Sequence, residues 1–136
     1  MYQIDLMFYE NLKVFNKQKG IFMNCVDIYS RYAWSIPLNN KTANACKKAL
    51  EIILKDGIPE HIQCDKGSEF KGIFKKFCTE KGIELSYVYP GDKNKQGIVE
   101  RFNKTLRDKI DRFLVSANTN SFIDHLSASF SDRQNW

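Results

Sequence analysis

Ile4, Leu6 and Phe8 alternate with Asp5, Met7 and Tyr9, the period of two expected of a β-strand. The polar, lysine-rich stretch 11–20 predicts a turn or hairpin loop. A mostly apolar run follows at 21–28 and fits a strand buried on both faces. A third strand is predicted over 32–38, ended by Pro37 and Asn39-Asn40. The short connections make these three an antiparallel meander. The period then changes. Thr42 is placed to cap a helix whose apolar face is Ala45, Ala49, Leu50, Ile53 and Leu54, with Gly57 and Pro59 to stop it. A short strand at 61–64 leads directly to Asp65. Ser68 is placed to cap a second helix carrying Phe70, Ile73, Phe74 and Phe77, with Gly82 beyond its end. A fifth strand is predicted at 84–89, a mobile aperiodic loop at 90–96, a long amphipathic helix at 98–115 and a last helix from Ser121. Helical crossovers make the later strands parallel to the first. The expected architecture is α/β: one domain over 1–136, with a mixed five-stranded sheet and helices on both faces.

Composition narrows the class without naming a function. The 136 residues are 43% hydrophobic and 13% aromatic, enough for a core. Twenty-one Lys and Arg against 16 Asp and Glu give a net charge of +5, which suits a polyanionic partner but does not require one. Cys25, Cys46, Cys64 and Cys78 form no CxxC pair, and His61 and His125 show no zinc-ligand spacing. Reduced core cysteines in a chain that is not secreted are the expectation. No apolar run is long enough to cross a membrane.

Three carboxylates carry the chemical interest. Asp5 is a charge within an apolar strand, Asp65 closes a strand before a turn, and Glu100 lies in the first turn of a helix behind a loop. With the first and fourth strands adjacent, Asp5 and Asp65 converge at one sheet end and Glu100 leans over them. Converging carboxylates repel unless cations neutralise them, and hard oxygen ligands suit Mg²⁺ or Mn²⁺. Two such ions about 4 Å apart activate a nucleophilic oxygen and stabilise the leaving oxygen of a phosphodiester. Each residue alone also has an ordinary explanation. Asp5 reads as a strand-edge charge, Asp65 as a turn residue, and Glu100 as a solvated residue favoured by the helix dipole.

The surrounding sequence adds more. Cys64-Asp65-Lys66-Gly67-Ser68-Glu69-Phe70, the run Lys95-Gln96-Gly97-Ile98-Val99-Glu100-Arg101-Phe102-Asn103-Lys104-Thr105-Leu106-Arg107, and Val26-Asp27-Ile28-Tyr29-Ser30-Arg31-Tyr32-Ala33-Trp34 together resemble the catalytic core of retroviral-type integrases. Asp65 and Glu100 are separated by 34 residues, close to the family's D,D-35-E spacing. The wording around Glu100 is most similar to integrases of Maverick/Polinton DNA transposons or of LTR retrotransposons. The resemblance spans about Tyr2 to Phe113. It implies an RNase H-like fold and a divalent-metal polynucleotidyl transferase that processes element DNA ends and joins them to target DNA. Its acidic triad is Asp5, Asp65 and Glu100, holding two Mg²⁺ or Mn²⁺ ions. It also implies double-stranded DNA as partner, a homodimer, and residence in a host nucleus or an element particle. Gln96 matches a position that contacts DNA ends, and Asn103, Lys104 and Arg107 match DNA-facing helix positions. Lys66 stands where the family usually has Asn and offers a phosphate contact. No zinc-binding N-terminal region or C-terminal DNA-binding domain is present, so the chain reads as a core excised from a longer protein.

The long helix supports this independently of the resemblance. Glu100, Asn103, Lys104, Arg107 and Asp111 form one polar face, while Val99, Phe102, Leu106, Ile110 and Phe113 form an apolar one. The polar stripe suits a phosphate backbone. Lys93 and Lys95 read equally as solubility residues or phosphate contacts, whereas Lys71, Lys75 and Lys76 read as solvated surface. Two rival readings share the same residues: an RNase H-like nuclease that uses water, and a catalytically silent domain that only binds DNA. Five aromatics, Tyr29, Tyr32, Trp34, Phe122 and Phe130, are more than one small core is expected to hide and point to self-association.

Overall fold

The computed structural model describes residues 1–89, 96–126 and 129–130. Its elements are β1 (Tyr2–Phe8), β2 (Ile21–Asp27), β3 (Ala33–Leu38), α1 (Ala43–Ile53), β4 (His61–Asp65), α2 (Ile73–Glu80), β5 (Glu84–Val88), α3 (Gly97–Ser116) and β6 (Ser129–Phe130). They form one sheet in the order β5-β4-β1-β2-β3-β6. β1, β2, β3 and β6 pair antiparallel, and β4 pairs parallel with both β1 and β5.

Strand parity divides the core in two. Tyr2, Ile4 and Leu6 of β1, Ile21, Met23 and Cys25 of β2, and Trp34, Ile36 and Leu38 of β3 pack with α1 and α2. The alternate residues Met7, Phe22, Val26 and Ala33 pack with Val99, Phe102, Leu106 and Ile110 of α3. β2 is buried along nearly its whole length, as its continuous apolar run requires. Thr42 caps α1 by accepting the Ala45 N–H at 3.1 Å.

The chain departs from expectation in four places. Ser68 opens only a short 3-10 turn, Ser68–Phe70, and α2 begins at Ile73. Gly72 between them has φ +52°, a left-handed conformation that ends one turn before the next starts. Pro37 does not end β3 but pairs with Phe22 inside it. Among the described residues β6 covers only Ala33 and Trp34, so near Pro37 the outer edge has no ladder for a missing N–H to interrupt. From Ser121 the expected helix is replaced by a 3-10 turn, Ile123–His125, and the two-residue β6, which makes the sheet six-stranded. The buried Asn16 side chain explains this local choice. Its Oδ1 accepts the N–H groups of Phe122 and Ile123, at 2.7 and 3.0 Å, and its Nδ2 donates to Leu12 and Asn120 carbonyls.

The fourth departure concerns the aromatics. Trp34 and Phe122 are buried, Tyr32 and Phe130 are half-buried, and Tyr29 alone of the five is fully open, at 88% exposure. One core therefore accommodates most of the set, and its size gives no argument for self-association. All four cysteines are free and buried as expected. Burial is the main force pushing the Cys46 thiol up to about 12 and the Cys78 thiol up to about 11, so both stay protonated at neutral pH. Among the described residues, no helix is long and apolar enough to cross a membrane.

Candidate catalytic site

The parity that sends Ile4 and Leu6 to one face sends Gln3 and Asp5 to the face covered by α3. Asn24 of β2 lies directly across from Asp5, and Ser35 of β3 lies across from Asn24. On β4, Ile62 and Cys64 join the first core, so Gln63 and Asp65 share the second face with Gln3 and Asp5. The β1–β4 ladder pairs Tyr2 with Ile62 and Gln3 with Gln63, then stops. Extended by two residues, the same register brings Asp5 level with Asp65.

Side chains take over where that ladder ends. Gln96 Nε2 donates to the Ile4 carbonyl at 3.2 Å, and the Val99 N–H donates to Gln3 Oε1 at 3.0 Å. The start of α3 is thereby fastened to β1, with Glu100 exposed in its first turn. Asn103, one turn further, donates from Nδ2 to Asp5 Oδ2 at 2.9 Å, and its Oδ1 accepts from Asn24 Nδ2 at 2.7 Å.

These surroundings act on Asp5. Its carboxyl is pushed up to about 6, first by burial and then by the negative charges of Asp65 and Glu100. A hydrogen bond from the Leu6 backbone and another from Asn103 oppose the rise. Asp5, Asp65 and Glu100 thus share one electrostatic neighbourhood. Among the described residues, however, no three His, Cys, Asp or Glu side chains stand close enough together to grip a single ion. Mutual repulsion separates carboxylates, and Asp65 Oδ1 is also turned to its own loop, where it accepts the Gly67 N–H at 2.8 Å. The donor set is nonetheless all oxygen and concentrated in negative charge, which fits a hard divalent cation.

Placement of the other expected site residues changes several readings. Gln96 is buried, and its amide donates to the Ile4 carbonyl. Asn103 likewise points inward, because Asp5 and Asn24 are polar groups in an otherwise apolar interface and need its amide. Arg107 donates to the Phe8 carbonyl at 2.9 Å, and its guanidinium lies 4.5 Å from the Tyr9 ring centre. Tyr9 in turn donates to Asp111 at 3.0 Å. Much of the polar stripe on α3 is therefore tied to β1 and the chain just after it. Lys104 is exposed. Lys66 is also exposed, with its ammonium 3.7 Å from the Tyr89 ring centre. Lys93, Lys95 and the rest of the stretch 90–95, for which a mobile loop was the expectation, lie outside the described residues. Sequence reading passed over Gln3, Gln63 and Asn24. The available signal was parity: Gln3 and Gln63 each stand two residues before an aspartate of the triad, on the same side of the same strand.

This sheet, with helices on both faces, is the RNase H-like architecture of integrase catalytic cores. The simian T-cell lymphotropic virus intasome in complex with PP2A regulatory subunit B56 gamma superposes with a TM-score of 0.73 at 21% identity, over 85% of this chain and 41% of the other. The HTLV-2 integrase catalytic core domain in complex with magnesium, in its dimeric form, gives 0.67 at 23% identity, over 85% and 71%. Residues 1–93 match the integrase core domain family, and the chain belongs to that family. It is 33% identical over 91 residues to the Gag-Pol polyprotein of walleye dermal sarcoma virus, covering 62% of this chain and 5% of the polyprotein. It is 30% identical over 104 residues to a transposon-derived protein of Caenorhabditis elegans, covering 75% of this chain and 36% of that protein. The chain thus spans a small part of the curated relatives it matches.

Proposed function

We propose that this chain is the catalytic core of a metal-dependent polynucleotidyl transferase that processes the DNA ends of a mobile element and joins them to target DNA. Asp5, Asp65 and Glu100 are its metal ligands. The observation that carries this reading is the fastening of the first turn of α3 to β1, with Gln96 on Ile4 and Val99 on Gln3, at the sheet end toward which the parallel β1 and β4 run to their aspartates. Asp5 is the anchor: strand backbone and the Asn103 amide fix it, and burial keeps water from screening its charge. Asp65 and Glu100 are exposed and turn toward it once cations lift the repulsion. Bound Mg²⁺ or Mn²⁺, in a pair, supplies activation of the attacking oxygen and stabilisation of the leaving oxygen. Lys66, next to Asp65 in the chain, and Lys104, one turn after Glu100 on α3, are exposed cations that hold phosphates. Magnesium in the HTLV-2 core supports the choice of metal.

The decisive experiment is a strand-transfer assay with short duplex oligonucleotides and Mn²⁺, comparing the wild type with Glu100→Gln. Metal-dependent joining by the wild type and none by the variant is expected. Cleavage without joining favours the hydrolytic nuclease reading, and equal activity of the two proteins refutes the assignment. Two-fold self-association also belongs to the proposal, supported by the dimeric form of the HTLV-2 core.

A further inference from the structure

The three proposed ligands come from three separate elements, and one buried side chain of the first, β1, is bonded to both of the others. Gln3 is 4% exposed. Its Oε1 accepts the Val99 N–H at 3.0 Å, and its Nε2 donates to Gln63 Oε1 at 3.0 Å. The orientation of the amide is dictated by its partners. Val99 N–H can only donate, so Gln3 must present oxygen to α3 and nitrogen to β4. Each contact falls beside a carboxylate. Gln3 is two residues before Asp5 on the same face of β1, Gln63 is two before Asp65 on the same face of β4, and Val99 immediately precedes Glu100.

The backbone cannot perform this task. The β1–β4 ladder ends at the level of Gln3, so beyond it the two aspartate-bearing strand ends are free to splay. The first N–H groups of a helix have no intrahelical acceptor, so the Val99 N–H needs a partner from elsewhere. A glutamine at this point satisfies the helix end and braces the neighbouring strand with one planar group.

We propose that Gln3 is the positioning residue of the site, setting the spacing of Asp5, Asp65 and Glu100 and hence their joint affinity for divalent metal. The inference rests on the triad reading above. Removing a group that orients metal ligands typically weakens metal binding by at least roughly tenfold.

The test is an electron paramagnetic resonance titration of Mn²⁺ into the wild-type chain, Gln3→Met, Gln63→Met and Asp5→Asn. DNA affinity in metal-free buffer and turnover are measured alongside. Methionine keeps the length and removes the hydrogen bonds. Gln3→Met is expected to raise the Mn²⁺ concentration at half-saturation by roughly tenfold. Gln63→Met, which breaks only one of the two bonds, gives a smaller rise in the same direction. DNA affinity stays at the wild-type level in both, and kcat falls without a change in KM for DNA. Gln63 is only half-buried, so Gln63→Met reads the brace even if Gln3→Met does not fold. Wild-type Mn²⁺ binding by Gln63→Met, and by Gln3→Met where it folds, overturns the inference if Asp5→Asn has lost binding. Wild-type binding by Asp5→Asn overturns the triad reading itself.

Discussion

At the scale of residues, Asp5 shows what burying a charged group costs a fold. Its carboxyl is raised from the usual 3.8 to about 6 by burial and by Asp65 and Glu100. The folded chain therefore holds this proton more tightly than the unfolded chain does. The stability it contributes is present below about 4 and is lost as pH rises through about 6. At neutral pH the ionised Asp5 costs the metal-free fold up to about 3 kcal/mol. Metal-free wild type is thus expected to melt at lower temperature at neutral than at mildly acidic pH. Asp5→Asn should flatten that dependence and raise the neutral melting temperature by several degrees. Mn²⁺ should then stabilise the wild type and leave Asp5→Asn unmoved, and calorimetry across pH with and without metal checks all three. The roles proposed for Glu100 and Lys104 predict different outcomes. Glu100→Gln keeps the size of the side chain and loses the charge, so turnover collapses while DNA affinity holds or rises. Lys104→Ala weakens binding to unrelated duplexes and lowers the magnitude of the salt slope by about one phosphate contact. Fluorescence anisotropy against salt checks the pair, and an unchanged slope for Lys104→Ala would remove it from the interface.

At the scale of elements, α3 both covers one half of the core and delivers Glu100. Val99 and Phe102 are fully buried, Leu106 and Ile110 nearly so, and the Phe102 ring lies 5.6 Å from that of Phe130 on the edge strand. Phe102→Ala removes an aromatic ring from this layer and is expected to cost about 3–5 kcal/mol in urea unfolding. Because the same helix carries Glu100, metal-dependent turnover should fail at lower urea than the far-UV signal does. Arg107, at a helix position that the resemblance makes DNA-facing, is fastened to Phe8 and Tyr9. Arg107→Ala should therefore lower the urea midpoint as well as DNA affinity, whereas Lys104→Ala lowers affinity alone.

At the scale of the whole molecule, the sheet is asymmetric by design of its connections. Antiparallel meander strands supply β1, while helical crossovers return β4 beside it in parallel, so the β1 and β4 aspartates emerge at the same end. Self-association remains a separate matter of surface. Tyr29 at 88% exposure, Val115 at 81% and Val14 at 63% are large apolar groups left on the outside. Light scattering at high protein concentration is expected to give the mass of a dimer, and a monomer alone would refute the two-fold assembly.

Much was determined by the sequence itself, because periodicity is a local property. The alternation at β1, the apolar run of β2, the Thr42 cap and the split faces of α3 each follow from a few neighbouring side chains, as does the adjacency of β1 and β4 once the crossovers are read. The three carboxylates stood out through the motifs around them, Cys64 to Phe70 and Lys95 to Arg107, because each of them alone has an ordinary explanation. What only the tertiary structure decided involves groups distant along the chain competing for the same hydrogen bonds. Asn16 takes the N–H groups of Phe122 and Ile123 and leaves a 3-10 turn where helix periodicity was expected. Gln96 and Asn103 turn inward because an ended ladder and a buried carboxylate need their amides more than solvent does. Amide partners depend on where strands stop pairing, and that is fixed by the packed sheet, not by the residues flanking each glutamine or asparagine.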